Sequence, residues 1–146
     1  MKSQIKYIKN PDYRCWFSRK ILRRNRKNWK YKLTETYSVY VGIYGKTIKT
    51  KYLWLHDGWL TIFKGYCWDG ASGPAIDTKN IMQGSLVHDA LYQLMREGLL
   101  DIKYRKFADQ LLIKMCKADG MWWPRTVWVY AAVRWFGKKY AQPKAA

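Results

Sequence analysis

His88 and Asp89 are adjacent, Tyr92 follows His88 by four residues, and Asp109 stands in the next apolar segment. These residue types suit acid–base chemistry. An imidazole exchanges a proton near neutral pH, and a carboxylate on its far nitrogen fixes the tautomer and supports the imidazolium. The loop Trp68-Asp69-Gly70-Ala71-Ser72-Gly73-Pro74 adds another carboxylate, among glycines that let backbone groups turn inward. Asp69 and Asp89 together offer oxygen ligands for a hard cation such as calcium, whereas one histidine among carboxylates is poor zinc chemistry. Each residue also has a plainer reading, as a core histidine, a turn aspartate or a helix cap. The set His88, Asp89, Tyr92, Asp109 and Asp69 therefore stands open between an active site and a structural polar network. Asp57, Asp77, Asp101 and Asp119 read as turn or cap residues.

The elements that must position these side chains are legible from periodicity. Residues 80–97 read as a helix, with Asn80 as N-cap and Gly98 as stop. Its neighbours Leu86, Val87, Leu91, Leu94 and Met95 put the His-Asp pair on or near the buried side, where a charge needs a partner. Asp101 caps a second helix running to about Ala118, with Gly120 behind it. Phe107, Leu111, Leu112 and Met115 form its expected apolar stripe, with Asp109 beside it. The short link makes the two helices antiparallel neighbours. His88 and Asp109 lie at similar depths from the turn, so contact between them is geometrically reasonable. Pro124 fits the first turn of a third helix, which Gly137 ends.

Before the loop the pattern is that of strands. Tyr37, Val39, Val41 and Ile43 alternate with Ser38, Tyr40 and Gly42. Thr47 to His56 is a second run, Asp57-Gly58 a hairpin signal, and Trp59 to Tyr66 the returning strand. The expected class is α+β in a single domain, 1–146. It comprises a basic arm (1–32), an antiparallel meander (35–66), a three-helix half carrying the His-Asp pair (80–137) and a tail (138–146), frayed after Tyr140.

Composition bounds the partners. The net charge of +18 attracts polyanions, whether nucleic acid or anionic lipid. Residues 1–32 hold twelve Lys or Arg against one acid, Asp12. Arg19, Lys20, Arg23, Arg24, Arg26 and Lys27 are its densest part and the expected polyanion contact, with a solvated basic face as the plainer alternative. Trp16, Phe17, Trp29 and Tyr31 are interleaved with these charges. No run is apolar for long enough to span a bilayer, and the N-terminus lacks the apolar stretch of a signal peptide. The three cysteines, Cys15, Cys67 and Cys116, are expected to be reduced, with a Cys67–Cys116 bridge as the alternative.

Two resemblances follow from these residues. Ala71-Ser72-Gly73-Pro74, His88-Asp89, Leu91-Tyr92, Arg105, Ala108-Asp109, Met115 and Gly120, with Tyr130, Val133-Arg134 and Phe136-Gly137, resemble an uncharacterised family of bacteriophage and prophage proteins across about residues 60–137. That resemblance implies a phage origin, in the host cytoplasm or in a virion among other virion proteins, and no particular activity. More distantly, Asp-Gly-x-Ser-x-Pro, His-Asp-x-x-Tyr and a later helical Asp are similar to bacterial and fungal phospholipases of the A-two type. This similarity implies His88 as general base, Asp109 as its orienter, Tyr92 as a hydrogen-bonding member, and Asp69 and Asp89 as calcium ligands. The chain departs from that family at Ala71, where a cysteine is usual, and in the meander ahead of the loop. The expectation is a metal-dependent ester hydrolase, with a non-enzymatic phage protein that touches nucleic acid through its basic arm as the alternative.

Overall fold

A computed structural model describes residues 4–9, 30–70 and 77–143. Arg19, Lys20, Arg23, Arg24, Arg26 and Lys27, the expected polyanion contact, lie outside the described residues. The chain divides into a strand unit and a helical unit, with the boundary between Asp69 and Gly70. The class is α+β, strands first and helices after.

The strand unit holds two antiparallel sheets. In the smaller, β1 (Tyr7–Lys9) pairs with β2 (Tyr31–Leu33), and β2 pairs with β7 (Cys67–Trp68). Both ends of the expected arm are thus strands, and a short strand opens the segment expected to be loop. A two-residue strand has no periodicity of its own; only its partner defines it. Tyr7, Tyr31 and Trp68 meet there as tilted and edge-on rings 5.5–5.6 Å apart. Cys67 is disulfide-bonded and Cys116 is a buried free thiol, so the two do not pair with each other, and reduced thiols throughout are not what the fold contains.

The larger sheet runs β3 (Tyr37–Tyr40), β6 (Trp59–Ile62), β5 (Leu53–His56), β4 (Thr47–Lys49). The run from Thr47 to His56 is two strands rather than one, folded back through Thr50. At the β5–β6 hairpin Asp57 and Gly58 both have positive φ (47° and 82°). This is the two-residue turn whose twist matches the flanking strands. Cross-strand register puts Val39, Leu60, Leu55 and Ile48 on one row and Tyr37, Ile62 and Leu53 on the next, all on the inward face. The outward face carries Tyr40, Trp59, His56 and Thr47, then Ser38, Thr61, Trp54 and Lys49, which explains the alternation in the sequence.

The helical unit contains α1 (Lys79–Arg96), a 3-10 turn (Ile102–Tyr104), α2 (Arg105–Ala118), α3 (Trp123–Phe136) and α4 (Lys138–Ala141). Thr78, two residues ahead of the expected Asn80, is the N-cap of α1; its hydroxyl donates to the Asn80 side chain at 2.6 Å. At the other end Gly98, at φ 73°, closes the helix, with Leu99 N–H bonded back to Leu94 C=O. The Asp101 carboxylate accepts from Lys103 N–H at 2.8 Å and starts the next element. The tail opens with ordered helix as far as Ala141, one residue beyond the expected onset of fraying at Tyr140. It forms α4, Ala141 is buried, and Arg96 donates to the Tyr140 carbonyl at 3.1 Å.

Packing runs α1 on α2 and α2 on α3. The buried seam of α2 is Arg105, Ala108, Asp109, Leu112 and Cys116, whereas Phe107, Leu111 and Met115 are only half-buried. Asp109 therefore sits inside the seam rather than beside the apolar stripe, because His88 and Tyr92 on α1 and Arg134 on α3 converge on it there. Gly84 allows the close approach of α1 and α2: a Cβ there would lie 3.0 Å from Leu112 Cδ1 and 3.2 Å from the Leu112 carbonyl. Ile81, Leu112, Cys116, Met121 and Val129 fill this dry end of the unit. Among the described residues no helix is long and apolar enough to cross a membrane.

Candidate functional site

The other end of the α1–α2–α3 seam is polar. His88 and Tyr92 lie one turn apart on α1, with ring centroids 4.0 Å apart. Both reach Asp109 on α2. His88 Nε2 is 2.8 Å from Asp109 Oδ1, and Tyr92 Oη donates to that same oxygen at 2.6 Å. The remaining oxygen, Oδ2, accepts from Arg134 Nη1 on α3 at 2.7 Å. Asp109 is 0% exposed, so all three donors act on a carboxylate that water does not reach. Buried carboxylates are tolerated on this condition: the lost hydration is replaced by directed donors.

Arg105 stands one turn before Asp109 and secures the ring of donors. Its Nε donates to Tyr92 Oη at 3.1 Å, and its Nη2 donates to the Val133 and Arg134 carbonyls at 2.9 and 2.6 Å. Those carbonyls belong to the last turn of α3, where the dipole favours a cation, and the Val133 carbonyl also accepts from Gly137 N–H. One guanidinium thus ties α1 and α2 to the end of α3. Gly137 leaves room for this arrangement, since a Cβ there would overlap the Val133 carbonyl and lie 2.8 Å from Tyr92 Oη.

The electrostatics follow. Burial alone would raise the Asp109 carboxyl; hydrogen bonds from His88 and Tyr92, with the His88 charge and Arg134, outweigh it and hold it below the usual carboxylate range. Burial would lower His88, but Asp109 and the neighbouring Asp89 favour the imidazolium more strongly, so its pKa is raised. Burial and the Asp109 carboxylate push Tyr92 far up, and it remains a hydroxyl donor. Asp89 is half-buried, and its Oδ1 lies 3.7 Å from His88 Nδ1, an ion-pair distance longer than a hydrogen bond.

The helical unit therefore brings together His88, Asp89, Tyr92 and Asp109. Asp69 belongs to the strand unit, directly after β7, and residues 71–76 of the expected metal loop lie outside the described residues. Among the described residues no three His, Cys, Asp or Glu side chains converge as a metal-binding group. Both oxygens of Asp109 are taken by donors, which leaves Asp89, among the described residues, as the other carboxylate at His88. Calcium takes about six to eight oxygens, so this donor set does not make a calcium site by itself. Asp57 and Asp101 are the turn and cap residues expected, and Asp119 ends α2.

Arg105 and Arg134 are the site residues that the spacing argument did not select. A signal for each was present. Arg105 is four residues before Asp109, hence on its face, and Arg134 is a cation inside an otherwise apolar helical run. No protein-family model matches the chain, and no match is found among curated proteins or solved structures.

Proposed function

We propose that this is a bacteriophage-encoded hydrolase of esters, lipid esters being the substrate class, with His88 as general base. The supporting observation is the His88 Nε2–Asp109 hydrogen bond at 2.8 Å. A carboxylate on Nε2 keeps the proton of the neutral ring there, which leaves the lone pair on Nδ1, on the Asp89 side. In the proposed reaction Nδ1 takes a proton from water as the water attacks the ester carbonyl, and the buried Asp109 stabilises the resulting imidazolium. Tyr92 and Arg134 hold Asp109 in place and so act as positioning residues. Calcium dependence is part of the proposal, with Asp89 as the carboxylate that would meet the ion beside His88, and no step is assigned to the ion.

The test is hydrolysis of phosphatidylglycerol vesicles and of short nitrophenyl esters by the full chain, with calcium and with chelator. General-base catalysis contributes about 10²–10⁴ in rate, so His88→Ala should lower turnover by about a hundredfold or more. Equal turnover in the variant, or none in the wild type under either condition, overturns the assignment.

A second reading has an observation of its own. Asp109 is wholly buried and Arg105 ties three helices together, as expected of a network that stiffens a non-enzymatic virion or accessory protein. In that case the His88→Ala protein unfolds more readily, while the wild type shows no hydrolysis. A fixed copy number in intact phage particles would identify a virion component, and binding of nucleic acid through residues 1–32 would show in a steep salt dependence.

A further inference from the structure

The third helix is apolar on two sides and covered on one. Thr126, Val129 and Ala132 face the interior. At about 100° per residue, Trp123, Val127, Trp128, Ala131 and Trp135 fall on the opposite side within an arc of about 140°. On that side Trp123 is 67% exposed, Val127 59%, Trp128 51% and Trp135 75%. Trp122 and Phe136, at the two ends of the helix, are also exposed, at 72% and 57%. A helix apolar all round is normally buried, and large aromatic patches on a surface mark a site of contact.

The charge around the patch selects its occupant. Residues 120–143 contain Arg125, Arg134, Lys138 and Lys139 and no Asp or Glu. Lys138 and Lys139 are exposed just past the helix, beside Tyr140. A second copy of the chain, docked by the same face, would set these cations against themselves, on a protein whose net charge is already +18. An anionic bilayer surface satisfies both features. Tryptophan prefers the headgroup boundary, where its ring is half in hydrocarbon, and flanking cations meet anionic headgroups. At fourteen residues α3 is about 21 Å long, so it lies along a surface rather than across it.

We infer that the exposed tryptophan face of α3 is a docking surface for anionic lipid membranes. It brings the helical unit to a lipid–water boundary whether or not His88 hydrolyses anything there, so loss of the hydrolase reading leaves it standing.

The experiment is co-sedimentation of the full chain with vesicles of phosphatidylcholine alone and of phosphatidylcholine with phosphatidylglycerol, at about 0.1 and about 0.5 M salt. High salt screens attachment by charge alone. Wild type should bind the anionic vesicles and keep part of that binding at high salt. Trp128→Gln/Trp135→Gln should lose about tenfold or more in partitioning at high salt, with circular dichroism and melting temperature unchanged. Val127→Asp, also at an exposed position, should lose as much. Equal vesicle binding by wild type and both variants overturns the inference. So does a dimer in light scattering that the tryptophan variant converts to monomer, or single-stranded DNA binding that needs Trp128 and Trp135 in a protein that ignores vesicles.

Discussion

Replacing Asp109 by Asn tests the centre of the polar network. The amide has nearly the shape of the carboxylate, but it carries no charge and presents donors on one side. With its oxygen toward His88 and Tyr92, its NH₂ faces Arg134 Nη1, donor against donor, where a 2.7 Å ion pair stood. With the amide turned over, the NH₂ faces Tyr92 Oη, which already accepts from Arg105. Neither orientation restores three charge-assisted bonds. Removing one member of a buried pair typically costs about 3–5 kcal/mol, a large share of the roughly 5–15 kcal/mol that holds a domain folded. The expected loss is therefore about 3 kcal/mol or more, read as a shift of the urea midpoint by tryptophan fluorescence and circular dichroism. The pH dependence is the sharper readout. Asp109 is lowered in the fold, so its contribution is complete above the unfolded carboxyl value and is lost as pH falls through the folded one. His88 is raised, so its contribution is complete below the unfolded value and is lost as pH rises through the folded one. The stability difference between wild type and Asp109→Asn should thus be greatest between about pH 4 and 6.5 and shrink on either side. The His88 ring, followed by NMR, should titrate lower in the variant. A difference below about 1 kcal/mol, independent of pH and with an unshifted His88, would refute the geometry argued for the site.

Three further outcomes are expected. Gly137→Ala forces a methyl onto the Val133 carbonyl and toward Tyr92 Oη; overpacking of this kind costs about 1–3 kcal/mol. It should weaken the Tyr92–Asp109 bond, seen as a fall in melting temperature together with a downfield-to-upfield shift of the Tyr92 hydroxyl proton. Gly84→Ala, at the opposite end of the same seam, should destabilise by a similar amount without changing the His88 titration. Burial and the Asp119 charge push the Cys116 thiol up to about 12, so mass-mapped alkylation at pH 8 should label it only as fast as the helical unit opens. Labelling at the rate of a free thiol in the native protein would contradict its burial.

Much of the local structure was legible because its determinants are local. Asp57-Gly58 specified a hairpin and Gly98 and Gly120 marked helix ends, through backbone conformations that few other residues adopt, and Asp101 marked a start through the carboxylate that accepts from Lys103 N–H. Helix geometry also carried the His88–Asp109 contact: equal depth from one short turn places two side chains opposite each other wherever both helices form. Strand alternation separated the inward row Val39, Leu60, Leu55 and Ile48 from the outward one.

What the spacing left open is set at long range. The pairing of β7 with β2 joins residues more than thirty apart, and neither strand is long enough to announce itself. The burial of Arg105 and Asp109 in the α2 seam, in place of Phe107 and Met115, depends on α3 bringing the Arg134 side chain and the Val133 and Arg134 carbonyls to that spot. A pattern within one helix ranks polar residues as outward. Only a third helix, arriving with complementary donors and acceptors, makes the inward choice the lower in free energy.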